Sequence, residues 1–529
     1  MMKQILQNIK TGKTTVAEVP VPSLGLGAAL VQNAYSLVSA GTERMLVSFG
    51  KQNLIGKARS RPDLVREVLN KAHREGLITT LDAAKNKLDQ PMALGYSSAG
   101  IIIDTGAELT GFKAGDRVAC GGGGYAVHAE YVAVPRNLLV PVPAGVDLEQ
   151  AAFATVGAIA MQGFRLAEVQ VGAKVGVIGL GLLGLLSVGI AQAAGCQVLG
   201  VDLDPERVSL AYKMGAKQAV ARDQALQAAD VFSLGKGLDA VLICADTSDN
   251  DPVELAGEVA RDRAHVIAVG AVGMQVPRKL YYEKELTLTV SRSYGPGRYD
   301  PNYEEKGQDY PLGYVRWTEA RNMEAFLGLL DEGKLNVSPL ITHRVPIEEG
   351  KHAYELITGK QPYLGVLITY PDQPAILKSR IPNLAAETTK IKSSEMLALG
   401  ALGAGNFALS TFLPAVKKVG GIAPIGVVSA SGVGAYDAAN RFGFGYSSSD
   451  SSALLDDPTI NLIAILTRHN LHSQLIIDAL RAGKHVYCEK PLAINPDQLA
   501  EIINVLKIEN LPLLTVGFNR RFAPLATEL

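Results

Sequence analysis

Cysteine is scarce in this sequence. Its 529 residues include four cysteines, Cys120, Cys196, Cys244 and Cys488, and no two of them form a CxxC pair. This spacing argues against a disulfide framework and against a structural zinc site built from cysteines. Such cysteine usage is typical of a reducing compartment, and we expect a cytoplasmic location.

An excess of charge is also absent. Lys and Arg number 51 against 52 for Asp and Glu. A nearly neutral chain offers no general attraction to nucleic acid or to anionic lipid, so we expect neither nucleic acid nor a membrane as a partner. The N-terminal residues alternate polar and apolar types and lack the apolar core of a signal peptide.

One long apolar run is present at residues 175–195, VGVIGLGLLGLLSVGIAQAAG, in which only Ser187 and Gln192 are polar. Its length would suit a membrane-spanning helix. The run also contains a glycine-rich turn between a β-branched strand and a helical stretch. Strands and helices that are covered on both sides in a parallel sheet are equally apolar, so a buried Rossmann unit explains the run better.

The turn in this run fits a dinucleotide site. Its residues are Gly179, Leu180, Gly181, Leu182, Leu183 and Gly184, and the strand that follows the helix ends in Asp202. Glycines let the backbone approach a pyrophosphate, the helix N-terminus supplies N–H donors, and the acid binds the ribose 2′-OH. We therefore predict an NAD site here, although the nearby Arg207 keeps NADP open.

A second copy of this pattern starts at residue 396. An apolar strand leads into Gly403, Gly405, Asn406 and Phe407, and an alanine takes the place of the third glycine. The next strand ends at residues 429–431, Ser-Ala-Ser, without a carboxylate. The pattern predicts a site for NAD or NADP. The alternative is a Rossmann-shaped domain that has lost its cofactor.

The segment between the two patterns, residues 371–395, is polar and contains prolines without a clear period. It is predicted to be a linker. The chain is thus expected to be α/β, with a first part at residues 1–370 and a second part at 396–529.

Motifs of the first part occur in the order and at the spacing of one family. They are SAGTE at 39–43, LGYSSAG at 94–100, KAGDRV at 113–118, HAEYVAVP at 128–135 and PLITHR at 339–344. Together with the glycine turn, they resemble the zinc alcohol dehydrogenase type of the medium-chain dehydrogenase/reductase family. The resemblance implies a GroES-like β-rich catalytic domain, residues 1–150, completed by about 340–370. An NAD-binding Rossmann domain at 151–339 interrupts it.

The departures from this family concern its metal. Where the family has zinc ligands, the chain has Ala40, Tyr96 followed by Ser97, and Thr155. Alanine supplies no ligand, since zinc takes thiolate, imidazole or carboxylate groups. The family's four-cysteine structural lobe is missing as well. We therefore expect no zinc at either site.

Without a metal, another group must handle the proton. The resemblance places Thr42 at a hydroxyl of the family's proton relay and Tyr96 in the vacated metal position, so both are candidate catalytic residues. Tyr96 could equally fill the volume that the metal leaves. Glu43 could serve as a base, but we expect it to be an exposed structural carboxylate.

Two further segments could meet a substrate. Residues 57–90 have helical periodicity and a basic side, typical of an insertion over the cleft or of a solvated face. The loop at 291–318 concentrates rings and guanidinium groups that suit a sugar or phosphate. Its candidate substrate residues are Tyr294, Arg298, Tyr299, Arg316 and Trp317. The same loop could form a dimer interface, and we expect a homo-oligomer.

Motifs of the second part point to another family. They are LTRHNLH at 466–472, AGKHVYCEKPL at 482–492 and VGFNRRF at 516–522. With the second glycine turn, they resemble the N-terminal Rossmann domain of the Gfo/Idh/MocA oxidoreductases. The resemblance implies that Lys490 approaches the nicotinamide ribose and the substrate hydroxyl. It also places four residues around the cofactor: Thr467, His469, His472 and Glu489. The family's substrate-binding half would follow this segment, and we expect it to be absent.

These observations predict a zinc-independent NAD(H)-dependent oxidoreductase that acts on CH–OH or carbonyl groups of a sugar, polyol or nucleotide-sugar-like compound. Two alternatives stay open. One is a non-catalytic nucleotide-binding scaffold or regulator, and the other is a redox-neutral lyase or epimerase that uses bound NAD.

Overall fold

The computed structural model describes residues 1–52, 56, 89–372, 379–383, 396–508 and 511–528. The predicted basic insertion at 57–90 lies outside them, apart from its last two residues. The chain forms two compact units. The larger unit comprises Leu24–Ser48 and Ala93–Asp372, and the smaller unit comprises Met1–Ser23, Phe49–Met92 and Gln373–Leu529.

Within the described ranges, the strands are β1 Met2–Asn8, β2 Thr14–Val19, β3 Ala28–Val38, β4 Pro91–Ala93, β5 Ser97–Thr105, β6 Arg117–Gly121, β7 Tyr131–Pro135, β8 Leu139–Pro141, β9 Lys174–Ile178, β10 Gln197–Asp202, β11 Gln218–Ala221, β12 Leu238–Ile243, β13 Ala260–Ala268, β14 Thr287–Val290, β15 Ile341–Pro346, β16 Gly365–Thr369, β17 Arg380–Pro382, β18 Leu397–Leu402, β19 Ile422–Val428, β20 Tyr446–Ser448, β21 Leu462–Ile465, β22 His485–Glu489 and β23 Leu514–Gly517. The α-helices are α1 Ala40–Lys51, α2 Leu148–Ala151, α3 Ala154–Leu166, α4 Leu182–Ala193, α5 Pro205–Lys213, α6 Ala225–Ser233, α7 Asp251–Val259, α8 Arg278–Glu283, α9 Pro301–Glu304, α10 Glu319–Asp331, α11 Gly350–Thr358, α12 Leu413–Val419, α13 Val433–Phe442, α14 Ser452–Leu455, α15 His472–Arg481, α16 Pro496–Leu506 and α17 Pro524–Glu528.

The long apolar run belongs to a parallel sheet of the larger unit. The strand order is β11-β10-β9-β12-β13-β14, with β9 and α4 formed from the run. Eight consecutive residues of α4, 184–191, are buried, because the helix packs between the sheet and neighbouring helices. This order is that of a dinucleotide-binding doubly wound sheet. In the part of the chain that the structure describes, no helix combines the length and the apolar character that a membrane crossing requires.

A second, mixed sheet of the larger unit carries the β-rich domain. Its order is β15-β16-β3-β5-β6-β8, and β7 pairs with β3. The strands β15 and β16 come from the far side of the Rossmann segment, and β16 pairs antiparallel with β3. The two ends of the larger unit thereby share one sheet.

The smaller unit contains the second doubly wound sheet, with the order β17-β20-β19-β18-β21-β22-β23. Its edge strand β17 pairs antiparallel with β20. The pattern predicts a linker over residues 371–395, whereas residues 380–382 of that segment extend this sheet. The α/β class with two doubly wound sheets is confirmed.

The N-terminal residues also differ from the predicted grouping. The resemblance implies one domain over residues 1–150, whereas Met1–Ser23 pack with the smaller unit. Ser23 N donates a hydrogen bond to Ala430 O at 2.9 Å. A Cβ added at Gly432 would lie 2.3 Å from Pro20 O, so the two backbones are in close contact. Contacts between residues about 400 positions apart have no local sequence signal.

Candidate active site

The first glycine turn joins β9 to α4 in the geometry of a phosphate cradle. Gly179 has φ +89°, and a Cβ there would lie 2.6 Å from Ala245 N. A Cβ at Gly184 would lie 1.9 Å from Gly179 O, so both positions require glycine. At Gly181, in contrast, the nearest atom to an added Cβ is Arg207 Nη1 at 3.9 Å. The helix N-terminus is therefore open on the side from which a pyrophosphate approaches.

Asp202 ends β10 beside this turn. Its Oδ2 accepts a hydrogen bond from Leu180 N at 2.5 Å, and its Oδ1 accepts one from Asp204 N at 2.9 Å. Arg207 forms an ion pair with Asp204 at 3.5 Å, and its side chain is 39% exposed. The acid is thus oriented by two backbone N–H groups at the position where a ribose would bind, and Leu182 and Leu183 form the first turn of α4.

Tyr96 lies between β4 and β5, and its side chain is half-buried. Its hydroxyl donates a hydrogen bond to Ser39 Oγ at 2.5 Å. Burial raises the pKa of Tyr96 to about 12, and the Glu43 carboxylate adds to this rise, while hydrogen bonding to Ser39 and Thr42 lowers it. Tyr96 is therefore protonated at neutral pH and can donate to a substrate oxygen. Thr42, in the first turn of α1, is exposed next to it.

Glu43 is 1% exposed, so the expectation of an exposed carboxylate is wrong. Its Oε1 accepts a hydrogen bond from Ser39 N at 2.9 Å, and its Oε2 accepts one from the hydroxyl of Tyr354. His128 Nε2 lies 3.2 Å from Oε2. The charge of Glu43 is held in the interior by these partners rather than by solvent, which the sequence does not reveal.

The three positions where the resemblance places zinc ligands carry no thiolate, imidazole or carboxylate. Ala40 begins α1, and Tyr96 presents a neutral hydroxyl. Thr155 is buried, and its hydroxyl donates to Cys120 O at 3.3 Å and lies 3.7 Å from Met323 Sδ. Among the described residues, no group of three or more His, Cys, Asp and Glu side chains is placed to hold a metal ion. These donors do not fit a catalytic zinc ion.

The aromatic loop after β14 contains several contacts between guanidinium groups and rings. The Arg298 guanidinium lies 4.1 Å from the ring centroid of Tyr299 and pairs with Glu304 at 2.6 Å. Tyr299 is 66% exposed, whereas Tyr294 is only 2% exposed and lies in the interior. The role of Tyr294 in substrate binding stays a prediction, and its ring does not face solvent.

Trp317 contacts two guanidinium groups. The Cζ atoms of Arg165 and Arg316 lie 3.3 and 3.8 Å from the ring centroid. Burial and the charge of Arg316 lower the pKa of Arg165 to about 10. The arrangement fixes the indole and leaves Arg316 exposed.

Glu319 was not predicted from the sequence. It is the first residue of α10 and is 0% exposed, and neither of its carboxylate oxygens has a hydrogen-bond partner by geometry. Burial, followed by the charge of Glu304, raises its pKa to about 9, while Arg298 and Tyr294 lower it. In the sequence, a glutamate after a threonine cap looks like an ordinary helix start, so nothing there indicates that Glu319 is buried.

The second glycine turn resembles the first: one of its glycines is required by the backbone conformation, and another is open to a ligand. Gly403 has φ +103°, and a Cβ there would lie 2.7 Å from Leu466 C and O. Gly405 has no atom within 4 Å of an added Cβ, and the adjacent Asn406 and Phe407 are exposed. Ala408 is fully buried in the position of the third glycine and begins a π-helical turn, Ala408–Phe412. The turn is open to a phosphate.

The other predicted residues of the second site lie at the carboxyl ends of β21 and β22. Lys490 and His469 are exposed. His472 is fully buried, with Nδ1 2.7 Å from Pro491 O and Nε2 3.2 Å from Thr467 O. It holds the turn after β21 against the segment of Lys490. Glu489 Oε1 accepts hydrogen bonds at 2.9 Å from Tyr487 and from Asn519.

Three family models match separate parts of the chain. The alcohol dehydrogenase GroES-like domain matches residues 70–144, and the zinc-binding dehydrogenase model matches 183–305. The oxidoreductase family with an NAD-binding Rossmann fold, Gfo/Idh/MocA, matches 397–518.

Individual proteins agree with these models. The probable D-xylulose reductase A of Arthroderma otae is 26% identical over 304 residues, which cover 51% of this chain and 78% of that protein. The levoglucosan dehydrogenase of Pseudarthrobacter phenanthrenivorans is 41% identical over 90 residues, 17% of this chain and 23% of that protein.

Solved structures share the fold. Galactitol-1-phosphate dehydrogenase from Escherichia coli aligns with a TM-score of 0.53 at 22% identity, covering 69% of this chain and 99% of that one. Alcohol dehydrogenase TADH from Thermus sp. ATN1 aligns with a TM-score of 0.52 at 21% identity, covering 70% and 100%. The chain is therefore an NAD(P)-dependent oxidoreductase, with one part similar to zinc-type alcohol dehydrogenases and another part similar to the NAD-binding Rossmann domain of the Gfo/Idh/MocA oxidoreductases.

Proposed function

We propose that the larger unit is a zinc-independent, NAD(H)-dependent oxidoreductase acting on a CH–OH or carbonyl group of a sugar, polyol or nucleotide-sugar-like compound. The relative named probable D-xylulose reductase A and the structural neighbour named galactitol-1-phosphate dehydrogenase support this substrate class. The observation that carries the proposal is the Tyr96 hydroxyl, which is hydrogen-bonded to Ser39 at the position where the resemblance places a zinc ligand.

In this proposal the glycine turn and Asp202 hold the dinucleotide by its pyrophosphate and ribose. When bound, the nicotinamide supplies or accepts the hydride. During carbonyl reduction, Tyr96 donates its hydroxyl proton to the substrate oxygen, and it recovers a proton through Ser39 or Thr42. During alcohol oxidation the protons move in the opposite direction. General acid catalysis by a positioned hydroxyl replaces the Lewis acid of zinc-type relatives.

The loop at 291–318 is proposed to bind the substrate. Tyr299 offers an exposed ring, and Arg316 offers an exposed guanidinium group that is fixed by stacking on Trp317. Arg298, which is paired with Glu304, supports Tyr299 from below its ring. Rings bind the apolar face of a sugar, and guanidinium groups bind hydroxyls or phosphates.

The smaller unit is proposed to bind NAD or NADP through its own glycine turn. Residues 429–431, directly after β19, are Ser-Ala-Ser, so Asp202 of the larger unit has no counterpart there. Lys490 and Thr467 lie at the carboxyl edge of this sheet, where a nicotinamide would be placed. This site is assigned a cofactor-binding role, with Lys490 as its candidate catalytic residue.

The test is turnover by the Tyr96→Phe variant. NADH formation or consumption is followed with a panel of sugars, polyols and their phosphates, using chelator-treated wild-type protein. We expect the variant to lose about 100-fold or more in kcat, because positioned acids contribute about 10²- to 10⁴-fold. NADH binding, measured by fluorescence titration, should stay at the wild-type level.

Tyr363→Phe is the matched control. Tyr363 is also half-buried in the larger unit, and its hydroxyl donates to Ile357 O at 3.1 Å. Its removal should leave kcat unchanged. Equal kcat values for Tyr96→Phe and wild type would contradict the assignment of Tyr96. Tight NADH binding without turnover across the panel would favour a scaffold.

A further inference from the structure

Ser39, the hydrogen-bond partner of Tyr96, is fixed in the backbone by Glu43. Ser39 immediately precedes α1. Glu43 N donates to Ser39 O at 2.9 Å, and Ser39 N donates to Glu43 Oε1 at 2.9 Å. The reciprocal pair resembles a capping box, in which a side chain from the first turn returns to the N-terminal residue. The position of Ser39 Oγ, and therefore of its bond to Tyr96, depends on Glu43.

Glu43 is itself held by buried groups. His128 Nε2 lies 3.2 Å from Oε2, and His128 Nδ1 lies 2.7 Å from Ser36 Oγ. Ser36 Oγ lies 2.6 Å from the hydroxyl of Tyr370. Ser36, His128 and Glu43 are each at most 1% exposed, and Tyr370 is 8% exposed. These groups form one continuous chain of polar contacts from the vacated metal position into the interior of the β-rich sheet.

Burying this series of polar groups costs free energy, and a functional role would explain why it is present. Two buried ionisable groups lose their hydration, and apolar side chains of similar volume are often at least as stabilising. This series of contacts nevertheless ends at Ser39 and Tyr96, whose hydroxyls take part in the proposed proton transfer. A metal ion would fix the reacting groups by coordination, and no such ligand set is found among the described residues.

We infer that Glu43 and His128 are positioning residues that hold Ser39 and Tyr96 in register for proton transfer, taking over the orienting role of a metal ion. This inference rests on the proposed function of Tyr96. His128 orients Glu43, Glu43 fixes Ser39, and Ser39 orients the Tyr96 hydroxyl. Neither Glu43 nor His128 contacts the substrate.

The charge of Glu43 adds a second effect. Its negative charge raises the pKa of Tyr96, whereas the hydrogen bond to Ser39 lowers that pKa. Glu43 and Ser39 therefore act on the pKa of Tyr96 in opposite directions.

The test compares Glu43→Gln, His128→Asn and Ser39→Ala. We expect kcat to fall about 10- to 100-fold in each, because displacements near 1 Å cost about that much, with KM and NADH affinity close to wild type. The pKa of Tyr96 is measured from tyrosinate absorbance, as the difference between each variant and the same variant with Tyr96→Phe added. This pKa should fall in Glu43→Gln and rise in Ser39→Ala. Glu319→Gln, another buried carboxylate, should leave this pKa unchanged.

Wild-type kcat and an unshifted Tyr96 pKa in Glu43→Gln and His128→Asn would overturn the inference. Equal losses of kcat, NADH affinity and folding stability without a Tyr96 shift would overturn it as well, since they indicate a structural role alone. If Glu43→Gln does not fold, His128→Asn decides, because it leaves both remaining bonds of Glu43 intact. Full activity of Tyr96→Phe would instead refute the proposed function.

Discussion

At the scale of single residues, Glu319 gives the most specific prediction of how stability depends on pH. Its carboxyl group is buried without a geometric hydrogen bond, and its pKa is raised to about 9 from an ordinary value of 4.5. Between pH 4.5 and about 9, the folded protein therefore keeps a proton on Glu319 that the unfolded chain has already released. Stability is unaffected by Glu319 below pH 4.5 and is lost progressively as the pH rises towards 9.

The first prediction concerns this slope. One proton difference changes the free energy of unfolding by at most about 1.4 kcal/mol per pH unit. Denaturant unfolding at a series of pH values should show a shallower decline for Glu319→Gln than for wild type between pH 5 and 9. The expectation fails if both proteins lose stability equally over that range.

Residue identity alone could predict the polar groups of the site but not their environment. Tyr96, Thr42 and Ala40 follow from the motif positions. The burial of Glu43 does not, because the same SAGTE segment is compatible with either face of α1 pointing inwards. Its partners Tyr354 and His128 lie 311 and 85 residues away and become neighbours only through the sheet that β3 and β16 share.

At the scale of elements, the first glycine turn separates folding from binding. Gly179 has a positive φ and a backbone neighbour in the path of a Cβ, whereas Gly181 has an open approach. Gly179→Ala should therefore lower the free energy of unfolding by about 1 to 3 kcal/mol, the usual cost of such a backbone conformation.

Gly181→Ala is the matched partner of that variant. It should unfold like wild type, but its Cβ stands where the pyrophosphate approaches, so NADH affinity should fall about tenfold or more. Thermal unfolding and NADH fluorescence titration of both variants check this division. Wild-type NADH affinity in Gly181→Ala would place the dinucleotide elsewhere.

The alternation of strand, glycine turn and helix made both doubly wound sheets predictable, because these signals are local. The π-helical turn Ala408–Phe412 and the strand β17 were not predictable. The first replaces ordinary helix geometry without a distinctive sequence, and the second is three residues long and forms only by pairing with β20.

At the scale of the whole molecule, two nucleotide-binding sheets occur in one chain, and each belongs to a different compact unit. Because Met1–Ser23 belong to the smaller unit, that unit contains residues from the start of the sequence as well as residues after the larger unit. A variant that disturbs the contact of Pro20 with Gly432, such as Gly432→Ala, should therefore lower the unfolding temperature of the smaller unit, since its Cβ would lie 2.3 Å from a carbonyl oxygen.

Turnover at a known metal content decides whether hydride transfer in this protein proceeds without a metal ion, as we propose. Protein is treated with a strong chelator, its zinc content is determined by mass spectrometry, and NADH turnover is measured with the substrate found in the panel. We predict undiminished kcat with no stoichiometric zinc and no gain when zinc is added. Loss of activity on chelation, with recovery when zinc is added, would contradict zinc-independent hydride transfer.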